Sequence, residues 1–179
     1  MFTINDIIDS KRITPTKFTA IIEIQKGSKM KYEMDKETGY LRLDRVLYTS
    51  THYPQNYGFI PKTLSEDGDQ LDVLVLTSEP IVPNTLVDCK PVGVVLMKDN
   101  NEMDEKIVAV CSSDPFYNMY NDMDELPKHV FDEIVHFFTV YKYLEGKKTE
   151  VFAIKNKEAA IKIIKESIDR YNDVKKGNL

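Results

Sequence analysis

The segment Glu66-Asp67-Gly68-Asp69-Gln70-Leu71-Asp72, which continues as Val73-Leu74-Val75-Leu76, carries the strongest signal in the chain. Four carboxylates lie within seven residues where a run that is apolar on both faces begins, which predicts a glycine turn leading into a buried strand. Carboxylates this close repel one another unless protons or cations neutralise them, and hard cations such as Mg²⁺ and Ca²⁺ prefer oxygen ligands. The segment therefore predicts a metal site, with a solvated acidic turn as the alternative.

Asp72 lies inside the apolar run, where an unpaired carboxylate would be costly, so we expect it to have a partner. An EF-hand calcium loop is excluded by the residues that follow Asp67. That pattern requires Asp or Asn at the fifth position, Gly at the sixth and Glu at the twelfth. Counted from Asp67, the chain has Leu71, Asp72 and Ser78 at these positions.

A second acidic cluster, residues 99–106, lies between two predicted strands and is typical of a polar hairpin loop. Asp104 and Lys106 have the same parity where they enter the second strand, so both could face one pocket. Lys31 and Glu33 likewise share one face of a predicted strand. Each of these residues is ordinary by itself.

Further candidate ligands for an anion are bases and phenols spread along the chain. Arg45 has the parity of two leucines in its strand, so we expect it to point inward. Lys142 follows Tyr141 on a predicted helix. Residues 53–58 form a tyrosine-rich turn, which offers two phenolic donors or simply two aromatic rings that pack a loop. For each basic residue alone, a surface position is the alternative.

Composition limits the partners of the 179-residue chain. Apolar residues make up 42% and charged residues 30%, which is typical of a folded domain. A net charge of −5 disfavours general nucleic-acid binding. The first ten residues do not resemble a secretory signal, and the longest apolar run, Val92–Met97, is too short to span a bilayer. We predict one domain over residues 1–179, located in the cytoplasm, with no membrane or nucleic-acid partner.

Hydrophobic periodicity predicts strands up to residue 111 and, after residue 127, two helices with one further strand between them. The strands are predicted at residues 17–25, 30–35, 40–46, 71–77, 86–97, 106–111 and 149–154. A helix is predicted between Pro127 and Gly146, with Gly146 at its C′ position. A second, amphipathic helix is marked by Ile161, Ile164, Ile168 and Tyr171. The pattern predicts an α+β, mainly β fold, in which helices pack outside a small barrel. Cys89 and Cys111 are interpreted as buried core residues.

The motif D-G-D-x-L-D-V at Asp67–Val73 resembles the signature of soluble family I inorganic pyrophosphatases. Other matching motifs follow in the family's order: I-E-I at Ile22–Ile24, K-x-K-Y-E-M-D-K-E-T-G at Lys29–Gly39, D-R at Asp44–Arg45, Y-P-x-N-Y-G-F-I at Tyr53–Ile60, K-P-V-G-V at Lys90–Val94, the acidic loop Asp99–Lys106 and H-F-F-x-x-Y-K-x-L-E at His136–Glu145. The resemblance implies an OB-like five-stranded closed barrel with two flanking C-terminal helices. It also implies hydrolysis of inorganic pyrophosphate to two orthophosphates.

The resemblance further implies a role for each matched residue. Asp69 would be the catalytic base that accepts a proton from the attacking water. The metal ligands would be Asp67, Asp72, Asp99, Asp104 and Glu23. The phosphate oxygens would be bound by Lys31, Arg45, Tyr57, Tyr141 and Lys142. Supporting roles would fall to Glu33, Tyr53 and Lys106.

Several magnesium ions per site are implied as cofactors, with manganese or zinc as possible substitutes. Such ions would activate a water for direct attack, without a covalent intermediate. A homo-oligomer is expected, with a hexamer favoured, and His136 on a helix would suit its interface. The chain departs from the family at Gln70, where Pro is usual, and it has no tryptophan, although the family commonly has one after Gly146.

Two other functions use the same residues. A metal-dependent phosphohydrolase acting on another phosphate would need the same carboxylates and an additional subsite. A non-enzymatic barrel that binds an oligonucleotide would need a basic face with exposed aromatics, against which the acidic charge argues. The failed EF-hand pattern argues against a calcium-binding barrel.

Overall fold

A computed structural model of the chain describes residues 3–177. The strands are β1 Phe18–Ile24, β2 Met30–Met34, β3 Leu41–Val46, β4 Asn56–Ile60, β5 Leu71–Leu76, β6 Thr85–Asp99, β7 Glu102–Cys111 and β8 Thr149–Asn156. The helices are α1 Ile4–Ile7, α2 Lys128–Val140 and α3 Lys157–Lys175, and short 3₁₀ turns lie at Ser10–Arg12, Met123–Glu125 and Tyr143–Glu145.

Five strands pair in a ring. β1 is antiparallel to both β4 and β6, β4 pairs with β5, β5 runs parallel to β7, and β7 returns to β6. β8 extends the sheet beyond β6, while β2 and β3 form a separate hairpin. The predicted α+β, mainly β architecture is confirmed, with two C-terminal helices beside a five-strand ring.

The two faces of β5 enter different cores, which explains why this strand is apolar on both sides. Leu71, Val73 and Val75 join the cluster that α3 covers, together with the buried Cys89 and Cys111. Leu74 and Leu76 join the cluster that α2 covers. Because side chains alternate along a strand, Asp72 has the parity of Leu74 and stands on the α2 side.

The prediction of a tyrosine-rich turn at residues 53–58 was wrong for its last three residues, which begin β4. The buried amide of Asn56 donates to the Val75 carbonyl at 3.1 Å and to Thr77 Oγ1 at 2.7 Å. A Cβ at Gly58 would lie 1.8 Å from the carbonyl oxygen of Ile21. Two residues typical of turns are thus used for close strand packing.

The acidic segment at residues 99–106 is not a long loop, because β6 continues to Asp99 and β7 begins at Glu102. Only Asn100 and Asn101 turn the chain, with φ of 49° and 72°. Two consecutive left-handed residues make the tight hairpin that matches strand twist. Asp104 and Lys106 therefore both lie on β7, as their shared parity predicted.

The helix predicted between Pro127 and Gly146 is shorter than expected, because α2 ends at Val140. Gly146, with φ of 67°, instead ends the separate 3₁₀ turn Tyr143–Glu145. The final helix is confirmed as α3, where Asn156 caps the N-terminus by accepting from the Ala159 N–H. No helix within the described residues is long and apolar enough to cross a membrane.

Candidate active site

The centre of the site is a buried ammonium shared by two carboxylates. Lys106 is the register partner of Asp72 on the parallel strand β5, and Asp104 lies two residues before it. The Lys106 ammonium contacts a carboxylate oxygen of Asp72 and of Asp104 and donates to Tyr57 Oη at 3.1 Å. Its side chain is only 4% exposed, whereas Asp72 is 28% exposed. The partner expected for Asp72 is therefore Lys106.

Burial and charge act in opposite directions on this group. Burial by itself lowers the pKa of Lys106. The negative charges of Asp72 and Asp104 raise this pKa by more than burial lowers it, so the ammonium stays charged. Burial raises the pKa of the Asp72 carboxyl, while Lys106 counteracts that rise. Two carboxylates that converge on one cation provide the hard oxygen donors that a divalent ion prefers.

Three buried tyrosines form an aromatic wall beside this centre. The rings of Tyr53 and Tyr57 lie 5.3 Å apart, and that of Tyr141 packs on Phe137 and Phe138 of α2. Burial raises the pKa of all three phenols above the ordinary value. The phenols therefore stay protonated at neutral pH and can donate to an oxyanion.

Lys142 and Asp99 form a second ion pair at the edge of the aromatic wall. The Lys142 ammonium contacts Asp99 Oδ2 and stands 5.4 Å from the centre of the Tyr141 ring. The other carboxylate oxygen, Asp99 Oδ1, is buried and has no hydrogen-bond partner. A buried unpartnered carboxylate oxygen is costly, so this atom is suited to accept a ligand or a metal.

Arg45 lies inward as predicted, with a side chain 19% exposed. It pairs with Asp44 at 2.5 Å, and its Nε lies 3.0 Å from Glu145 Oε1. That second contact has ion-pair distance but not hydrogen-bond geometry, and Arg45 Nη2 is also buried without a partner. Lys31 joins the cluster through Glu33 and through Asp44 at 3.2 Å. Lys31 and Arg45, two candidates for binding phosphate, therefore share Asp44 as a partner, and Arg45 retains unused donors.

Glu23 is a buried carboxyl on β1. It accepts the Met34 N–H at 2.6 Å, which ties the β2–β3 hairpin to the ring. Burial, chiefly, raises its pKa to about 8; the hydrogen bond from Met34 lowers it, and Asp72 and Glu33 raise it further. A nearby cation would favour the charged form.

Asp67 and Asp69 lie on the exposed tip, residues 66–69, of a loop over residues 62–70 that we call the acid loop. Gly68 turns the loop with a φ of 90°, and the Asp69 N–H donates to Asp67 Oδ1 at 2.9 Å. The Asp69 carboxylate contacts the ammonium of Lys36, which comes from the β2–β3 turn. Asp69 thus points towards solvent and hairpin, not into the buried centre.

The fold brings most of the predicted site residues into contact, but not all of them. Polar contacts between their side chains join Asp72, Asp104, Lys106 and Tyr57, then Asp99 with Lys142, then Lys31 with Glu33. Within residues 3–177, no three His, Cys, Asp or Glu side chains stand close enough to form a ready-made ligand set. The acids nevertheless fit a hard cation, because a carboxylate pair shares one ammonium and an Asp99 oxygen lacks a partner.

Three charged residues of the site were not identified from the sequence. Asp44 pairs with both Lys31 and Arg45, Glu145 lies beside Arg45, and Lys36 contacts Asp69. Each stands inside a motif that matches the family. Alternation along a strand cannot reveal the contacts of Asp44 with Lys31, of Glu145 with Arg45 and of Lys36 with Asp69, because each joins separate segments of the chain. Asp44 and Arg45 are chain neighbours, which alternation places on opposite faces.

The chain was compared with known families and curated proteins. A sequence model of the family described as inorganic pyrophosphatase matches residues 20–172. The inorganic pyrophosphatase of Halalkalibacterium halodurans is 50% identical over 159 residues, which cover 89% of this chain and 98% of the relative. Soluble inorganic pyrophosphatase 4 of Arabidopsis thaliana is 47% identical over 165 residues, which cover 92% of this chain and 76% of the relative.

Two of the similar solved structures come from bacteria. The inorganic pyrophosphatase from Thermus thermophilus has a TM-score of 0.86 and 40% identity, and the match covers 88% of this chain and 92% of that one. The inorganic pyrophosphatase from Helicobacter pylori also has a TM-score of 0.86, with 44% identity and coverage of 89% and 96%.

Proposed function

The chain belongs to the inorganic pyrophosphatase family and hydrolyses pyrophosphate, and on this premise we propose that magnesium is its metal cofactor. The observation that carries the proposal is the convergence of the Asp72 and Asp104 carboxylates on the buried ammonium of Lys106. Carboxylate oxygens are the ligands that magnesium prefers. When bound, the ions would screen the substrate's negative charge and lower the pKa of a coordinated water.

Asp67, Asp72 and Asp104 would be the principal ligands, and Asp99 and Glu23 would hold further ions. The unpartnered Oδ1 of Asp99 supports its assignment. Glu23 is supported by its proximity to Asp72, which helps to raise its pKa. Manganese or zinc would be possible substitutes.

Asp69 would accept the proton of the attacking water. It is exposed enough to meet water, and the Asp67–Asp69 hydrogen bond orients its backbone. Water would attack one phosphorus directly, and no covalent intermediate would form. Phosphoryl transfer requires mainly positioning and charge stabilisation, not a protein nucleophile.

Lys31, Arg45, Tyr57, Tyr141 and Lys142 would bind the phosphate oxygens. The buried, unpartnered Nη2 of Arg45 supports this role, as do the protonated phenols. Lys31 and Lys142 are each paired with an acid and would exchange that contact for the substrate. Glu33, Tyr53 and Lys106 would hold these groups in place.

The test is phosphate release from pyrophosphate with and without magnesium, beside an Asp69→Asn control. We expect fast release that requires magnesium and collapses in the variant. Release that survives Asp69→Asn would keep the reaction but move the base elsewhere. No requirement for magnesium or manganese would overturn the metal assignment.

We also propose one domain over the chain, a cytoplasmic location and a homo-oligomer, with a hexamer favoured. A groove of about 460 Å³ lined by His136, Tyr143 and Leu144 supports contact with another copy, because the last two side chains are exposed and apolar. Light scattering tests the assembly, and a monomer at working concentration would refute it.

A further inference from the structure

The acid loop is held in shape by its own hydrogen bonds. The Ser65 N–H donates to the Asp69 carbonyl at 2.7 Å, and the Gly68 N–H donates to the Ser65 carbonyl at 3.2 Å. These bonds set the relative positions of Asp67 and Asp69. They do not determine where the loop lies relative to the strand acids Asp72 and Asp104.

Attachments at Thr63 and Leu64 determine that position. Thr63 Oγ1 donates to the Ile60 carbonyl at 2.5 Å and accepts from the Leu71 N–H at 2.9 Å, so it closes the base of the loop. Both backbone polar groups of Leu64 bond to α3. Its N–H donates to the Ser167 carbonyl at 3.0 Å, and its carbonyl accepts from Arg170 Nη1 at 2.5 Å.

Arg170 also faces a side chain of the loop. Its Nη2 is 3.8 Å from Glu66 Oε1 of the acid loop, and its side chain is 30% exposed. One guanidinium therefore bonds the loop backbone and stands at ion-pair distance from a loop carboxylate.

The helix that carries Arg170 is itself firmly anchored. Ala160 and Ile164 of α3 are fully buried in the core shared with β5, and Ser167 is 3% exposed. A rigid helix can transmit a fixed position to a loop that has few buried contacts of its own.

We propose that Arg170 is a positioning residue, which holds the acid loop against α3 so that Asp67 and Asp69 stand where the reaction needs them. The proposal rests on the roles proposed above for these two acids. It assigns a function to a residue of the C-terminal helix α3, to which the roles proposed above give no part in the site.

The test compares Arg170→Ala and Arg170→Lys with Lys165→Ala. Lys165 lies on the same helix and pairs with Asp169 at 2.5 Å on the exposed surface, so its removal deletes one charge without touching the loop. We expect kcat of Arg170→Ala to fall about tenfold, since small displacements of reacting groups are costly. KM for pyrophosphate should change less than about threefold, because Lys31, Arg45 and Lys142 lie outside the loop.

Hydrogen exchange supplies a readout that does not depend on turnover. In Arg170→Ala, amides of residues 64–69 should exchange about tenfold faster, while those of β5 and β7 keep their protection. Arg170→Lys, which retains the charge, should lie between wild type and Arg170→Ala, and Lys165→Ala should match wild type. Unchanged loop exchange, or faster exchange throughout the ring, would overturn the proposal. If Arg170→Ala does not fold, the same measurements on Arg170→Lys decide.

Asp69→Asn separates this inference from the proposed function. If that variant retains activity, the role of Asp69 fails, whatever Arg170 does to loop exchange. If Asp69→Asn is inactive but Arg170→Ala keeps wild-type kcat and wild-type loop exchange, only the positioning role of Arg170 fails.

Discussion

The site combines acids on buried strands with acids on an exposed loop. Asp72 and Asp104 stand on β5 and β7, where strand register places them against Lys106. Asp69 is 62% exposed, and its ion pair with Lys36 joins two side chains that mostly face water. The ion pair of Asp69 with Lys36 should therefore contribute little to stability, because solvent screens it. Loss of the Lys106 ammonium should cost much more, because that group is buried among the strands.

Two glycines show the same contrast in the backbone. At Gly58 of β4 any side chain would collide with the carbonyl of Ile21, so glycine is required by packing. At Gly68 nothing lies within 4 Å of a Cβ, but a φ of 90° favours glycine by conformation alone. The strands are constrained by their neighbours, whereas the loop is constrained by its own geometry.

The largest expected effect is that of Lys106→Met in metal-free buffer. The substitution leaves the half-buried Asp72 and Asp104 facing each other without their cation, which should cost about 3–5 kcal/mol of unfolding free energy. Urea denaturation measures the loss. Lys128→Ala, which breaks an exposed pair with Asp132 on α2, should cost less than about 0.5 kcal/mol. Equal losses in the two variants would remove the distinction between buried and exposed pairs.

The glycines provide the second test. Gly58→Ala should cost about 3 kcal/mol, because the strand backbones of β1 and β4 must separate. Gly68→Ala should cost about 1 kcal/mol, since only a left-handed backbone is strained. Both are measured by denaturation under one set of conditions. A larger loss for Gly68→Ala would show that the loop is packed as tightly as the ring.

The third test uses pH and Glu23. Its pKa rises from an ordinary value of 4.5 to about 8 in the folded chain, so the folded state binds the extra proton between these values. Its contribution to stability is thus complete below about pH 4.5 and is lost as the pH rises towards about 8, at no more than about 1.4 kcal/mol per pH unit. In metal-free buffer, Glu23→Gln should flatten this decline. Parallel pH profiles for wild type and variant would refute the shift.

The smallest effect is expected for Lys36→Ala. Because the Lys36–Asp69 pair is exposed, its removal should change stability by less than about 0.5 kcal/mol. The rate of phosphate release should change by less than about threefold, which corresponds to roughly half of the activation free energy of a tenfold loss. A much slower rate in a normally stable variant would mean that Lys36 helps to aim Asp69, and that loop and hairpin act together.

Much of the fold could be predicted from local patterns. Alternation located β1 and β2, and a run apolar on both faces located β5, each to within a residue or two. Burial of one face or of both leaves a direct trace in the order of apolar residues. Alternation missed β4 altogether, because Asn56 and Gly58 are typical of turns. Their use in a strand depends on Val75 and Ile21, which lie far away in the chain.

The site also contains features that local patterns predict and features that depend on distant parts of the chain. Parity alone placed Asp104 and Lys106 on one face, and the apolar surroundings of Asp72 predicted that it has a partner. Which residue that partner is depended on the parallel pairing of β5 with β7, a contact between strands about thirty residues apart.

The sequence by itself determined the kinds of groups available: carboxylates at a glycine turn, bases on strand faces and an apolar pattern able to bury them. Their order along the chain also carried the family resemblance. Only the tertiary structure decided which charges meet, that Lys106 serves two acids, that Arg45 rests between Asp44 and Glu145, and that Arg170 reaches the acid loop. The physical reason is that local periodicity depends on burial, which each residue experiences separately, whereas an ion pair depends on two positions that the folded chain alone brings together.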